Sequence, residues 1–434
     1  MDQTLQGTAA PAISLSEEDR IYRKVSWRLV PFLILCYVVA YLDRVNVGFA
    51  KLQMLQDLNL SDAVYGLGAG IFFIGYFIFE IPSNVILHRV GAKLWIARIM
   101  ITWGLVSAAM MFTNSATTFY VLRFLLGAAE AGFFPGIILY LTYWYPNARR
   151  GRMTTLFMVA IPLSGLIGGP LSGWIMSSVS SHGLAGWQWL YLLEGIPSVI
   201  VGIAVLFFLD DRIEKAKWLT DSEKAVLSRN IAAEDQVKED PPITAAMGMP
   251  RVWAFALTYF CFVMGLYGVG FWMPTLIKNT GVSSTLEIGL LTAIPNVFAV
   301  IGMILIARSS DRAHERRWHL AIPAVFAALG LVWTTMAVNV PAAMIALTVA
   351  NIGICAVLPL FWSQPTAILS GTAAAAGIAL INSVGNLAGF VSPYLVGWLK
   401  DSTGSTNAGM YLLAGSLVVG GLIALSQPAR LVNK

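Results

Sequence analysis

The sequence predicts an all-α membrane protein: twelve transmembrane helices in two six-helix bundles related by a parallel repeat. Three observations predict this. Of 434 residues, 57% are hydrophobic and only 12% charged, about half the charged share of an average soluble protein. Twelve apolar windows recur along the chain, each close to the roughly 20 residues that cross about 30 Å of hydrocarbon. Four positions also recur at one fixed offset. Disorder, a disulfide scaffold, collagen and coiled coil are excluded by the same composition.

In chain order, the windows fall at about 27–49, 64–88, 95–113, 117–141, 154–178 and 187–209, then 251–277, 288–308, 318–338, 341–362, 374–399 and 408–427. The organisation expected is a segment 1–26, a first bundle 27–209, a linker 210–250, a second bundle 251–427 and a tail 428–434. Inside the linker, which ends in Asp240-Pro241-Pro242, Thr220 and Glu223 form a capping-box pattern for a short helix over 221–234. Ser16 and Asp19 offer a weaker version before residues 17–28. No cleavable signal peptide is expected, because the first apolar run is too long and contains Asp43-Arg44. Cys36, Cys261 and Cys355 lie far apart in apolar runs and read as reduced, buried thiols.

Basic residues set the orientation. Of the 28 lysines and arginines, 23 fall on one side of the predicted membrane and only Lys51, Lys278 and Lys400 on the other. By the positive-inside rule both termini are cytoplasmic, and the formal charge of +5 needs no nucleic-acid partner. The repeat pairs Arg89, Lys93 and Trp95 with Arg312, Arg316 and Trp318, and Pro170 with Pro393, each 223 residues on. An even number of spans per half makes the repeat parallel, with substrate expected near the midplane between halves.

Ionisable groups inside spans are costly, so each marks either a water-filled pathway or a buried pair. The first half carries Asp43, Arg44, Glu80, Arg123, Glu130 and Glu194, while the span interiors of the second half hold no acidic or basic residue. At 1.5 Å per residue, Asp43 and Arg44 lie about 22–24 Å from the cytoplasmic end, and Arg123 about 9 Å below the outer surface. Glu130 follows two turns after Arg123 on nearly the same face, and Tyr76 falls near the midplane. Arginine suits a carboxylate, and a buried carboxyl can exchange its proton near neutral pH. The set Asp43, Arg44, Arg123 and Glu130 therefore reads as proton-coupled anion symport, or alternatively as buried salt bridges. Glu80 and Glu194 read first as structural. In the second half, Asn382 and Asn386 share a face, and Tyr267 sits in a Gly/Pro-interrupted aromatic stretch. Both features fit ligand contact or helix packing. No catalytic motif, cofactor site or metal spacing is found, and the glycine run 66–70 follows no strand, so no enzyme is expected.

Tyr41-Leu42-Asp43-Arg44-Val45-Asn46, Gly75-Tyr76-Phe77, Glu80-Ile81-Pro82-Ser83-Asn84, Arg123 through Gly132, and Gly377 through Leu387 together resemble the major facilitator superfamily. Within it the chain is similar to the anion:cation symporter family, over essentially its whole length. The bacterial branch associated with tartrate, phthalate, hydroxyphenylacetate, nicotinate and keto-gluconate uptake is closest in pattern. The resemblance implies protonation at Asp43 and Glu130, and substrate binding at Arg44, Arg123, Tyr76 and an asparagine of the eleventh span. The family's loop motif keeps Arg89, Gly91 and Lys93 but has Asn84 and His88 at its Gly and Asp positions, while the second copy keeps Asp311 and Arg312. Gating is thus expected at Arg89, Lys93, Asp311 and Arg312. Sugar-acid members often carry a polar residue where this chain reads Ile161-Pro162-Leu163, which admits an aromatic or smaller acid. The expected protein is a monomeric inner-membrane symporter of a small organic anion and protons. An exporter or antiporter of the same fold, or a transporter-like sensor, is the rival.

Overall fold

The computed structural model describes residues 15–146, 149, 153, 156–179, 183–235, 248–368 and 371–433. Asp240-Pro241-Pro242, Arg150, Arg152, His182 and Lys434 lie outside the described residues. The described residues form helices and connections, with no strand among them.

In order the helices are α1 (Leu15–Val45), α2 (Val47–Asp57), α3 (Asp62–Val90), α4 (Ala92–Ala109), α5 (Ala116–Glu130), α6 (Phe133–Thr142), α7 (Ala160–Ser178) and α8 (Gly186–Phe208). They continue with α9 (Asp221–Asp235), α10 (Pro250–Lys278), α11 (Thr285–Ala313), α12 (Arg317–Thr334), α13 (Val340–Ile368), α14 (Gly371–Asn386), α15 (Ala388–Thr403), α16 (Asn407–Ser426) and α17 (Ala429–Val432). Eleven helical stretches among the described residues are long and apolar enough to cross a membrane. The α14–α15 pair, interrupted at Leu387, covers the remaining predicted window.

Besides the fifth predicted span, which breaks at Val159 just before α7, three others are not continuous. The first runs from α1 into α2 through a break at Asn46, directly after Asp43-Arg44, and its helix begins as early as Leu15. The surface helix expected over 17–28 is therefore the first part of α1. The fourth breaks after Glu130, because Gly132 takes φ +86, a left-handed conformation that glycine adopts without penalty. The third break, at Leu387, follows Asn386. In α9, Thr220 and Glu223 exchange side-chain-to-backbone hydrogen bonds of 2.9 and 3.3 Å.

The two halves meet along two seams, both at the end opposite the N-terminus. The first part of α3 packs on α15, where Gly66 admits the carbonyl of Pro393. The last part of α7 packs on the first part of α11, where a Cβ on Gly289 would collide with the carbonyl oxygen of Gly169. An ionic knot closes the same end. Asp62 joins Lys51 at 2.7 Å and Lys400, from the other half, at 2.8 Å. Lys51 Nζ lies 3.2 Å from the centroid of the Trp272 ring. The carboxylate of Asp401 accepts from the backbone N–H groups of Asp62 at 3.2 Å and Ala63 at 2.8 Å, capping the start of α3 from across the interface.

Candidate functional site

Adjacent helical residues point about 100° apart, and α1 uses this to send Asp43 and Arg44 to different places. Asp43 faces α4 and α8. It accepts from Trp103 Nε1 at 3.0 Å, Ser107 Oγ at 2.7 Å and the Ser198 hydroxyl, all within the first half. Three donors satisfy this carboxyl group without a cation.

Arg44 faces the interface between halves. Its Nη2 donates to Glu130 Oε1, and its Nη1 donates to the hydroxyl of Tyr267 on α10 at 2.8 Å. The rings of Tyr41, Phe72 and Tyr76 surround the guanidinium at 5.5, 5.4 and 5.7 Å. Arg44 is buried, and both its Nε and Glu130 Oε2 lack a partner. Buried polar atoms left open at the end of a helix are where a ligand finds donors and acceptors.

Arg123 is fully buried but does not join this cluster. Its Nε and Nη2 donate to the carbonyls of Gly68 and Ala69 on α3 at 3.2 and 3.0 Å. The Phe72 ring lies between the two arginines, 4.9 Å from Arg123 and 5.4 Å from Arg44. The four charged residues expected to act together thus occupy three environments: an Arg44–Glu130 pair, a satisfied Asp43, and an Arg123 held on helix carbonyls.

Asn382 Nδ2 donates across the interface to Glu80 Oε1 at 3.1 Å, one turn beyond Tyr76. Glu80, expected to be structural, joins the two halves through this contact. Asn386 is half-buried at the α14–α15 break. Glu194 accepts from Ser172 Oγ at 2.6 Å. Of the expected gating residues, Lys93 and Asp311 make local contacts. The backbone N–H of Lys93 donates to Asp211 Oδ1 at 2.9 Å, beside Gly91 at φ +101. Asp311 pairs with Arg316 at 2.6 Å, next to Arg312, while Arg89 is exposed at the end of α3. Sequence reasoning missed Asp211. It also missed the ionic knot, having counted Lys51 and Lys400 only as topological charges.

The family model described as Major Facilitator Superfamily matches residues 33–393. The chain belongs to the major facilitator superfamily. Among curated superfamily relatives, one named as a metabolite transport protein, NicT, of Pseudomonas putida is 52% identical over 418 residues, 95% of this chain and 96% of that one. Another, named for tartrate transport in Agrobacterium vitis, is 53% identical over 410 residues, 94% of each chain. Among solved structures, the partially occluded inward-open xylose transporter XylE of Escherichia coli superposes with a TM-score of 0.70 at 14% identity, covering 91% of this chain and 97% of that one. At that identity the likeness carries the fold alone. In this major facilitator chain, the Arg44 cluster lies where the two halves meet, drawing Arg44 and Glu130 from one and Tyr267 from the other.

Proposed function

We propose that this protein is a proton-coupled symporter that imports an organic carboxylate by alternating access between bundles 27–209 and 251–427. One observation carries the reading: a buried guanidinium at the interface holds Glu130 with one nitrogen and Tyr267 of the opposite half with another. Glu130 occupies the place a substrate carboxylate would take. A proton on Glu130 removes the competing anion, so protonation of Glu130 frees Arg44 for the substrate carboxylate. Tyr267 then reports that occupancy to the second bundle. Arg123, Tyr76, Asn382 and Asn386 complete the substrate walls in this reading, and Asp43 is the second proton site.

The orientation follows from the basic residues: both termini cytoplasmic, in the inner membrane, with the linker 210–250 on that side. The end closed by Asp62, Lys400 and Asp401 then faces outward. Arg89, Lys93, Asp311 and Arg312 would meet when the cytoplasmic side closes. The relatives named for tartrate and metabolite transport support a small organic acid as cargo.

The test is uptake into proteoliposomes with an alkaline interior, using a panel of labelled tartrate, sugar acids, keto acids and aromatic acids. Arg44→Ala is expected to abolish both driven uptake and exchange. Glu130→Gln is expected to keep exchange and lose gradient-driven accumulation. Intact uptake by Arg44→Ala would remove the anion assignment, undiminished accumulation by Glu130→Gln the coupling assignment. Efflux driven by the same gradient would favour an antiporter.

A further inference from the structure

A groove runs along the flank of the second half, at the end of the molecule that carries the N-terminus. Leu305 and Ser309 of α11, Trp318, Ile322 and Phe326 of α12 and Ile352 of α13 line a cavity of about 600 Å³ there. From Trp318 to Phe326 the helix rises about 12 Å, so the groove leads from the membrane surface well into the hydrocarbon. Its apolar walls are open: Leu305, Trp318, Ile322 and Phe326 are each about half exposed. In the first half, 223 residues earlier, the positions matching Ile322 and Phe326 are Ile99 and Trp103, and both are buried. The open groove therefore belongs to the second half and is not a product of the repeat.

The rim is charged in one sense. Asp311 is taken by Arg316 at 2.6 Å. Glu315 accepts from the backbone N–H groups of Arg317 at 3.0 Å and Trp318 at 2.9 Å, and from His319 Nδ1 at 3.1 Å. His319 Nε2 in turn lies 3.0 Å from Ser309 Oγ, inside the groove. Arg308 and Arg312 are exposed and pair with no acid among the described residues. Arg308 stands one turn on from Leu305, and Arg312 one turn on from Ser309, so both guanidiniums border the groove. Two unpaired cations thus stand at the mouth of an apolar channel in a membrane-spanning surface.

We propose that this groove holds an anionic phospholipid of the surrounding bilayer, with its phosphate on Arg308 and Arg312 beside Ser309 and an acyl chain along Trp318, Ile322 and Phe326. Charge complementarity selects the occupant: basic pockets between transmembrane helices take anionic headgroups. A phosphatidylcholine of the same chain length would fill the groove equally well but bring its own cation to the two arginines.

The experiment is thermal stabilisation of the purified full chain in detergent, titrated with dioleoyl phosphatidylglycerol and with dioleoyl phosphatidylcholine. The acyl chains are identical, so the two lipids compare headgroups alone. Phosphatidylglycerol is expected to half-saturate at a concentration about tenfold lower. The double variant Arg308→Gln/Arg312→Gln is expected to bring that ratio towards one. Arg20→Gln/Arg23→Gln, which removes the same charge from an exposed part of α1, is expected to leave it unchanged. Ile322→Trp, which fills the groove, is expected to weaken both lipids. The melting transition of each variant reports its folding in the same measurement. Equal potency of the two lipids, an equal loss of preference in the α1 variant, or full binding by Ile322→Trp would overturn the proposal. The same stabilisation by inorganic phosphate would assign the effect to the arginines without a lipid chain and overturn it too.

Discussion

Replacing Asp401 by alanine tests whether the seam at the start of α3 holds the conformation described here. The carboxylate accepts from two backbone N–H groups at the start of α3, at 3.2 and 2.8 Å, and it comes from the opposite half. A capping side chain of this kind contributes about 1 kcal/mol. Attraction between a carboxylate and a helix N-terminus adds about 0.3–1 kcal/mol at an exposed site. The Lys400–Asp62 contact at 2.8 Å survives the substitution, so the loss is confined to these two terms. Their sum of about 1.5 kcal/mol falls on the closed arrangement alone, because the partners separate when the end opens. At 1.4 kcal/mol per tenfold, the closed-to-open ratio is expected to fall about tenfold. Spin labels on cysteines placed at the exposed Asn59 and Ser402, with Cys36, Cys261 and Cys355 replaced, read that ratio as a distance distribution. A distribution identical to that of the parent protein would refute the claim that the cap contributes to closure.

Two further predictions follow from other places in the fold. Gly289→Val places side-chain atoms where the Gly169 carbonyl lies. Overpacking of about 1–3 kcal/mol is then charged to the closed seam, and substrate counterflow is expected to fall about tenfold or more. Unchanged counterflow would mean that the seam opens too little to matter. Glu315 lies between α11 and α12, where burial raises its pKa but is outweighed. The backbone N–H of Trp318, the His319 ring, the Asn433 amide and the His319 N–H together hold its carboxyl below the usual glutamate range. A lowered folded pKa stabilises above the unfolded value, about 4.3, and that contribution disappears as pH falls through the folded value. Glu315→Ala is therefore expected to lower the melting temperature at pH 7, with the difference from the parent closing below about pH 4. A pH-independent difference would assign the effect to packing instead.

Much of this was legible in the sequence, and the parts that were not have physical reasons. Helix number and the short list of buried ions could be read because apolar length and intramembrane charge are local properties. Depth grouped Arg44 and Glu130 with Asp43 and Arg123 in one set, without singling out which acid pairs with which base. The fate of Arg123 could not, since its acceptors are the carbonyls of Gly68 and Ala69, and a backbone oxygen leaves no mark in the sequence. The separate environment of Asp43 follows from helical rotation, but its donors Trp103, Ser107 and Ser198 are identifiable only once α4 and α8 are packed against α1. The break at Ala131–Gly132 hides in a run of small residues common to any tight helix contact. The ionic knot escaped because counting lysines by side of the membrane discards the information that brings Lys51, Asp62 and Lys400 together.

The second half has no acid or base within its span interiors, and this has an electrical consequence. Displacing one elementary charge through 100 mV is worth about 2.3 kcal/mol. A half whose interior carries no fixed charge can tilt through the membrane field with little work done on or by it. Sensitivity of the transport cycle to voltage must then arise in the first half and in whatever it has bound. Arg44 and Glu130 neutralise each other there, so the charge left to feel the field lies with Asp43, Glu80, Arg123 and Glu194 of the first half.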